Sequence, residues 1–334
     1  MAKPFTIYKT RKGTRIGVIG LTVNFGLFYE LLGWSLTDPL TELKRVMELL
    51  KGQTDVIILL SHLGINEDER IAEEFPKIDV ILGGHTHHIL HEGRLVNETL
   101  LGAAGKHGQY VGHIMLDVCQ SKTVRDKKAM LYDVNELPES EHERNDANSL
   151  IEIGKQLLDE KVVTLSKAIQ SDYFKESELP NMLCEALREW CNADCAFLNA
   201  GLLLGSLSGE VTKFDLHKVC PHLINPCTVE LTGSELKEVL LQARDEKWPH
   251  MPILGLGFRG QVMGKMIYNQ ISFTENEHKV MINGVNLLPE KVYRLAIPDM
   301  FTFGKFFPEI LRAKRKQYFL PELMRDLLQW KLMK

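Results

Sequence analysis

Three histidines directly follow two apolar, strand-like segments, where they could bind a metal ion. Residues 55–62 read DVIILLSH and end on His62, and residues 79–87 read DVILGGHTH and carry His85 and His87. In extended backbone, residues i and i+2 project to the same side, so His85 and His87 can reach a common centre. If the two strands are neighbours, His62 lies close to His85. Three neutral imidazoles are good ligands for zinc- or manganese-class ions.

The other histidines have simpler interpretations. His88 and His91 are expected to be neighbours of the site rather than ligands, and a lone histidine such as His113, His142 or His250 is usually a surface residue or a satisfied core residue. Two histidine-bearing turns, each placed directly after an apolar strand, are much harder to explain in that way. The pattern therefore favours a metal site over isolated structural histidines.

The elements around these histidines alternate between strand and helix. Residues 15–21 read as a strand, Asp38 is a predicted N-cap followed by Pro at the first helical position, and Gly52 ends that helix. The continuous apolar run at 55–60 predicts a strand buried on both faces, and a polar helix is predicted at about 66–75. Residues 95–118 suit hairpins. This order predicts an α/β layered fold with functional loops at the carboxyl ends of the strands.

Length and charge limit the classes of protein. A chain of 334 residues with a net charge of −4 is typical of two soluble domains, and it offers no basic face for nucleic acid. We expect no membrane partner, because no apolar run approaches the ~20 residues that cross a bilayer. The acidic stretch near Pro138 predicts a division into 1–137, a linker and connecting helix at 138–160, and 161–334.

Six cysteines are present without a Cys-x-x-Cys pair, which favours free thiols in a reducing compartment. The N-terminal residues MAKPFT lack the apolar core of a signal peptide. We therefore expect a cytoplasmic location.

The histidine segments resemble the last two metal-binding motifs of the calcineurin-like metallophosphoesterases. Short motifs of the second half resemble, in order, the C-terminal domain of 5'-nucleotidases. They are VTLS at 163–166, LPN at 179–181, NAG at 199–201, GEVT at 209–212 followed by Asp215-Leu216, and LTGSEL at 231–236. The chain thus resembles a bacterial bifunctional metallophosphatase/5'-nucleotidase. This implies the C-terminal portion of a metallophosphoesterase α/β/β/α sandwich, followed by a 5'-nucleotidase C-terminal α+β domain.

The resemblance implies a metal-dependent phosphomonoester hydrolase acting on nucleotides or related phosphoesters, with two divalent ions of the manganese or zinc class. By motif match, His62 and His85 would bind one ion and His87 the other. The family's earlier motifs supply a bridging Asp, an Asn ligand and a catalytic His, and this sequence has no Gly-Asp, Gly-Asn or Asn-His dipeptide to match them. Its one Asp-x-His, at 215–217, aligns with the C-terminal domain instead. No catalytic residue is therefore assigned.

We therefore expect the chain to be an incomplete form that lacks the first part of the catalytic domain, with about half of the metal site. An exposed sheet edge would then invite association, and another polypeptide could supply the missing strands. The alternative function is a non-catalytic module that binds a nucleoside or a partner.

In the second domain the resemblance implies four substrate-binding residues, which are Asn199, Gly201, Phe258 and Phe301. The two phenylalanines would stack the base, with Phe303 competing for the second position; each could instead be a core residue. Leu204 stands where the family has an Arg that grips the phosphate, and a leucine cannot donate a hydrogen bond. Arg259 is a candidate substitute, although it is more simply explained as a surface charge.

Overall fold

A computed structural model of the chain shows two compact units, which are unit 1 (Met1–Glu141) and unit 2 (His142–Lys334). The residues that it describes are 3–138, 141–253, 255–274, 279–303 and 306–334. The division falls inside the segment that the sequence predicts to be a linker. No described helix is long and apolar enough to cross a membrane.

Unit 1 alternates strands and helices and then turns to hairpins, as predicted. Its strands are β1 (Phe5–Lys9), β2 (Arg15–Thr22), β3 (Val56–His62), β4 (Val80–Gly83), β5 (Arg94–Val96), β6 (Thr99–Gly102), β7 (Tyr110–Val118) and β8 (Val124–Asp133). Its helices are α1 (Gly26–Leu31), α2 (Pro39–Leu50) and α3 (Ile65–Glu74).

Six of these strands form one mixed sheet in the order β1-β2-β3-β4-β6-β5. The inner strands β2, β3, β4 and β6 are parallel, whereas β1 and β5 pair antiparallel at the two edges. The parallel register sets Ser61 of β3 beside Gly83 of β4, so the carboxyl ends of these strands lie side by side. The strands β7 and β8 form a separate hairpin.

The helix α2 shows how local sequence sets this part of the fold. Asp38 accepts a hydrogen bond at 2.8 Å from the backbone N–H of Thr41, which caps the helix where the sequence predicts. Leu43, Val46 and Leu50 are buried on the helix face that packs on the sheet. One face of the sheet and the apolar stripe of α2 thus share a core.

The opposite face of the sheet is less well covered. Leu59 is buried in the core, but Leu60 is 45% exposed and its β4 neighbour Leu82 is 40% exposed. The prediction that residues 55–60 are buried on both faces is therefore wrong at Leu60, because alternate residues of a strand face opposite sides and the helices cover only one. We call Leu60 and Leu82 the open sheet patch. His62 projects from the same face as Leu60.

Unit 2 is an α+β unit. Its strands are β9 (Lys161–Ile169), β10 (Cys195–Asn199), β11 (Leu207–Thr212), β12 (Pro226–Thr232), β13 (Met266–Asn269), β14 (Ile271–Phe273), β15 (Val280–Ile282), β16 (Val285–Asn286), β17 (Val292–Pro298) and β18 (Lys316–Tyr318). Its helices are α4 (Glu141–Leu157), α5 (Glu178–Trp190), α6 (Lys213–Val219), α7 (Gly233–Ala243), α8 (Met300–Phe303), α9 (Pro308–Arg312) and α10 (Met324–Leu332). The helix α4 begins at Glu141, so much of the polar stretch predicted as a linker is helical.

The centre of unit 2 is a five-stranded sheet in the order β13-β10-β17-β12-β18. Its pairs are antiparallel except β10 with β17. Phe197 of β10 is fully buried among aromatic rings and aliphatic side chains. Next to this core, Thr212 and Asp215 form a capping box at the start of α6. Asp215 therefore has a structural role, which agrees with its exclusion as a metal ligand.

The thiols are distributed unevenly between the units. All six cysteines are free, and the half-buried Cys119 belongs to unit 1. The other five are buried in unit 2, and they are Cys184, Cys191, Cys195, Cys220 and Cys227. Burial raises the pKa of the Cys191 thiol to about 12, so this thiol is unreactive as long as the fold is closed.

Candidate functional site

The structure brings His62 and His85 together, as their positions after neighbouring strands predict. His62 is the last residue of β3, and β4 ends two residues before His85. The backbone N–H of Gly84 donates to the carbonyl of Ser61 at 2.8 Å, which ties the turn after β4 to the end of β3. Two residues that are distant in sequence thus share one edge of the sheet.

The two imidazoles are close and nearly perpendicular, with 5.2 Å between ring centroids and an interplanar angle of 66°. The ring of Phe25 lies 5.8 Å from that of His85. Burial lowers the pKa of His85, and the neighbouring His62 and His87 lower it further. His85 is therefore biased towards the neutral form, which is the form that binds metals.

His87 reaches this neighbourhood by a different backbone path from the one predicted. The argument from extended backbone is wrong here, because β4 has ended at Gly83 and both His85 (φ 65°) and His87 (φ 55°) adopt left-handed conformations in a turn. The electrostatic effect of His87 on His85 still places them near each other. Left-handed non-glycine residues are uncommon and concentrate at functional sites.

The remaining histidines of this turn have other contacts. The hydroxyl of Thr86 accepts a hydrogen bond from the backbone N–H of Ile65 at 3.1 Å, and it lies 2.9 Å from Nδ1 of His88. His91 meets the ring of Tyr110 edge to face at 5.4 Å. His88 and His91 thus have contacts within the protein, and their place as neighbours of the site stays a prediction.

A buried carboxylate lies behind the histidines, and sequence reasoning missed it. Asp68 of α3 is 1% exposed and accepts a short hydrogen bond from the Ser61 hydroxyl. Burial raises the pKa of Asp68 to about 6, although the hydrogen bond from Ser61 lowers it. The signal was available, because Asp68 occupies the apolar stripe of α3, three residues from both Ile65 and Ile71. A carboxylate on an apolar stripe is a candidate functional group.

The histidines fit only part of a metal centre. Across the described ranges, no group of three or more His, Cys, Asp or Glu side chains is arranged to hold a metal ion. His62 and His85 supply two imidazole nitrogen donors, but a two-metal centre also needs anionic ligands to balance the charge of the ions. A complete two-metal centre therefore does not fit these residues alone.

In unit 2, Asn199 and Gly201 lie at the end of β10 and hold a neighbouring segment rather than an open cavity. The buried amide of Asn199 donates from Nδ2 to the carbonyl of Met263 at 2.9 Å, while its Oδ1 has no hydrogen-bond partner among the described residues. A Cβ added to Gly201 would overlap the carbonyl oxygens of Val262 and Met263. The glycine is thus required by close backbone packing.

Phe258 is covered by a histidine that the sequence did not single out. The ring of His222 stacks on Phe258 with 4.7 Å between centroids and a 14° angle, and both side chains are buried. Nδ1 of His222 accepts from the backbone N–H of Arg259 at 2.9 Å, whereas its buried Nε2 has no hydrogen-bond partner in the part of the chain that the structure describes. One face of Phe258 is therefore occupied by the protein itself.

Phe301 is fully buried against Phe197 and Phe307, at 5.4 and 5.3 Å between centroids. Phe303 is more exposed and stacks on Tyr318 at 5.8 Å. The structure does not bring Phe258 and Phe301 together as an open pair of rings. The base-stacking role of these two residues stays a prediction.

Leu204, which stands where the family has its arginine, lies between two clefts. Leu204 and Gly205 line both a cavity of about 480 Å³, which Lys218 also lines, and a cavity of about 300 Å³. The guanidinium of Arg259 donates to the carbonyl of Phe258 at 3.3 Å. Arg259 is therefore engaged by its own loop.

Part of unit 2 matches a known family model. Residues 158–306 match the family model described as "5'-nucleotidase, C-terminal domain". The chain is 42% identical over 342 residues to the metallophosphoesterase YunD of Bacillus subtilis, covering 99% of this chain and 74% of YunD. It is 23% identical to the snake venom 5'-nucleotidase of Crotalus adamanteus over 87% of the chain, which spans 57% of that enzyme.

The fold has a counterpart among solved structures. A 5'-nucleotidase-type protein from Staphylococcus aureus superposes with a TM-score of 0.71 at 19% identity, over 99% of this chain and 73% of that one. At this identity the likeness concerns the fold.

Proposed function

Because the chain belongs to the metallophosphoesterase and 5'-nucleotidase family of phosphoester hydrolases, we propose that it serves in the hydrolysis of phosphomonoesters, with nucleotides as the first substrate class. The observation that carries this proposal is the His62–His85 pair, because it places two imidazoles together at the carboxyl ends of adjacent parallel strands. In open α/β sheets this edge is where ligands bind.

The proposed cofactor is a pair of divalent ions of the manganese or zinc class. His62 and His85 would be ligands of one ion and His87 of the other. Bound there, such ions would supply Lewis-acid polarisation of a phosphoryl group and would lower the pKa of an attacking water. The electrostatic effects of His62 and His87 on His85 support a ligand role, since they place the three imidazoles near one another.

We further propose that this chain carries an incomplete metal site, and that acidic ligands come from a segment outside residues 1–334. Support comes from the donor set, because no group of three or more His, Cys, Asp or Glu side chains among the described residues is arranged to hold a metal ion. It also comes from the open sheet patch, which lies on the face from which His62 projects. A segment that covered this patch would reach the histidines.

For substrate binding we propose unit 2, with Asn199, Gly201, Phe258 and Phe301 as the candidate residues. The match of residues 158–306 to the 5'-nucleotidase C-terminal domain supports this assignment. Because His222 now covers Phe258, binding of a base there would require the imidazole to move. We also propose a cytoplasmic location, which the free thiols support, and no nucleic-acid or membrane partner.

The test is release of phosphate from adenosine monophosphate and p-nitrophenyl phosphate, with excess Mn²⁺ or Zn²⁺, by this chain together with the segment proposed to supply the acidic ligands. We expect turnover that EDTA removes, and a loss in His85→Ala larger than the roughly 10–100-fold typical of losing a residue that only supports a ligand. His250→Ala is the matched control, because this exposed histidine belongs to unit 2, where it stacks on Phe174. Activity that survives both EDTA and His85→Ala would contradict the proposal.

The second candidate is a binding module without catalysis, which the incomplete donor set favours. It predicts that adenosine binds the chain with an affinity that EDTA and His85→Ala leave unchanged, while no phosphate is released. Calorimetric titration with adenosine, run beside the phosphatase assay, separates the two functions.

A further inference from the structure

Burial of the Asp68 carboxylate costs free energy that another interaction must offset. Removing a carboxylate from water is unfavourable, and a cation usually compensates for it. Within the described part of the chain, the partner of Asp68 is instead the neutral hydroxyl of Ser61. Simple stabilisation of unit 1 does not explain why this position of α3 is an aspartate.

The geometry shows what the carboxylate does. One of its oxygens, Oδ1, accepts from the hydroxyl of Ser61, which itself accepts from the backbone N–H of Leu63 at 3.3 Å. The other oxygen lies where a Cβ on Gly83 would approach it to 2.5 Å. One buried side chain therefore contacts the carboxyl ends of both β3 and β4.

These contacts act directly on the backbone that carries the imidazoles. His62 lies between Ser61 and Leu63, the two residues that Asp68 organises. Gly84, which leads into His85, donates its N–H to the carbonyl of the same Ser61. A displacement of the Ser61–Asp68 pair would thus alter the spacing of the two rings.

Asp79, at the amino ends of the same two strands, can be compared with Asp68. There, Asp79 accepts from the backbone N–H of Ile57 at 2.9 Å and pairs with Lys127 at 3.3 Å. Asp79 therefore joins β3 to β4 as Asp68 does, but at the end without histidines. Asp68 and Asp79 both join β3 to β4, but Asp68, unlike Asp79, lies near the imidazoles.

We propose that Asp68 is a positioning residue that fixes the carboxyl ends of β3 and β4 and thereby sets the separation of His62 and His85. Its effect on turnover rests on the proposed hydrolase function, whereas its effect on ring spacing does not.

The experiment compares Asp68→Ala, Asp68→Asn, Ser61→Ala and Asp79→Ala in the full chain. Nuclear Overhauser cross-peaks between the ring protons of His62 and His85 report the spacing directly, and urea unfolding reports the stability of each variant. We expect the cross-peaks to vanish in Asp68→Ala and Ser61→Ala and to remain in Asp79→Ala, even where that variant is equally destabilised. Asp68→Asn should retain them, because its Oδ1 can still accept from Ser61.

The second readout is phosphate release from p-nitrophenyl phosphate in Mn²⁺, measured with the segment proposed to supply the acidic ligands present. Asp68→Ala should lose about 10–100-fold in turnover, and Asp79→Ala should stay close to the parent chain. Ring cross-peaks that persist in both Asp68→Ala and Ser61→Ala would overturn the proposal; if Asp68→Ala does not fold, Ser61→Ala decides. A parent chain without turnover would contradict the hydrolase function alone, and the cross-peaks would still decide the role of Asp68.

Discussion

The imidazole of His222 lies flat on the ring of Phe258, with 4.7 Å between their centroids and neither side chain open to water. Burial lowers the pKa of His222 to about 4, and the nearby Arg259 and Arg325 lower it further, while a backbone contact with Leu202 raises it. The stacked pair therefore contains a neutral histidine, and this gives unit 2 a defined response to acid.

We expect unit 2 to lose stability as pH falls from about 6.5, the unfolded value, to about 4, because the unfolded chain takes up the His222 proton first. Below the folded pKa this contribution stops changing. His222→Gln, which can still accept from the N–H of Arg259, should flatten that part of the profile. Urea unfolding from pH 4 to 7 measures it, with the exposed His250→Gln as control. An unchanged slope in His222→Gln would refute the assignment.

Asp299 should act in the opposite direction. Burial raises the pKa of its carboxyl to about 7, although hydrogen bonds from Asn225 and Met300 lower it. Between the unfolded value near 3.9 and about pH 7, the folded state holds a proton that the unfolded state has lost, so this contribution to stability falls as pH rises. Asp299→Asn should abolish this fall. The same unfolding series tests this prediction. Asp146 is exposed, so Asp146→Asn should leave the pH profile of stability unchanged.

Gly201→Ala should destabilise unit 2 by about 1–3 kcal/mol, the usual cost of overpacking, since the new methyl group would overlap the carbonyls of Val262 and Met263. Gly154 is the matched control, because it lies in α4 with open space around it. Gly154→Ala should be neutral or stabilise by roughly 0.5–1 kcal/mol. Chemical denaturation compares the two, and equal effects would show that segment 262–263 does not confine Gly201.

Leu204→Arg should lower KM for adenosine monophosphate while leaving kcat nearly constant, because it places a guanidinium on the edge of the clefts beside Gly205. The change is tolerable, since Leu204 is 36% exposed. Leu288→Arg, at another exposed leucine, is the control for added charge. A KM that falls equally in both variants would indicate general electrostatic attraction instead of a phosphate contact.

The parts of this molecule that sequence predicted well depend on local chemistry. Asp38 and the proline after it are sufficient to start α2, and the apolar runs before His62 and His85 are sufficient to make neighbouring strands. Their pairing followed from the rule that parallel strands end at one edge. The family motifs predicted the α/β architecture because they, too, are short local sequence patterns.

What sequence did not predict depends on contacts between distant residues. The exposure of Leu60 reflects which sheet face the helices cover, and a run of apolar letters does not contain that information. The cover that His222 provides for Phe258 joins positions on separate loops. Asp68 is the intermediate case, because its place on the apolar stripe was visible in the sequence but its partner, Ser61, was not.

Because the thiols are distributed unevenly between the units, their reaction with a thiol reagent can report the opening of unit 2. The five buried cysteines all belong to unit 2, so a thiol reagent reaches them only when that unit opens, whereas Cys119 of unit 1 is half-buried in the folded chain. The slow phase of thiol labelling therefore reports the rate at which unit 2 opens, and the reaction of Cys119 in unit 1 serves as the reference. No label or tag has to be engineered, and each variant of unit 2 can be ranked by the rate at which its own sulfur atoms become accessible.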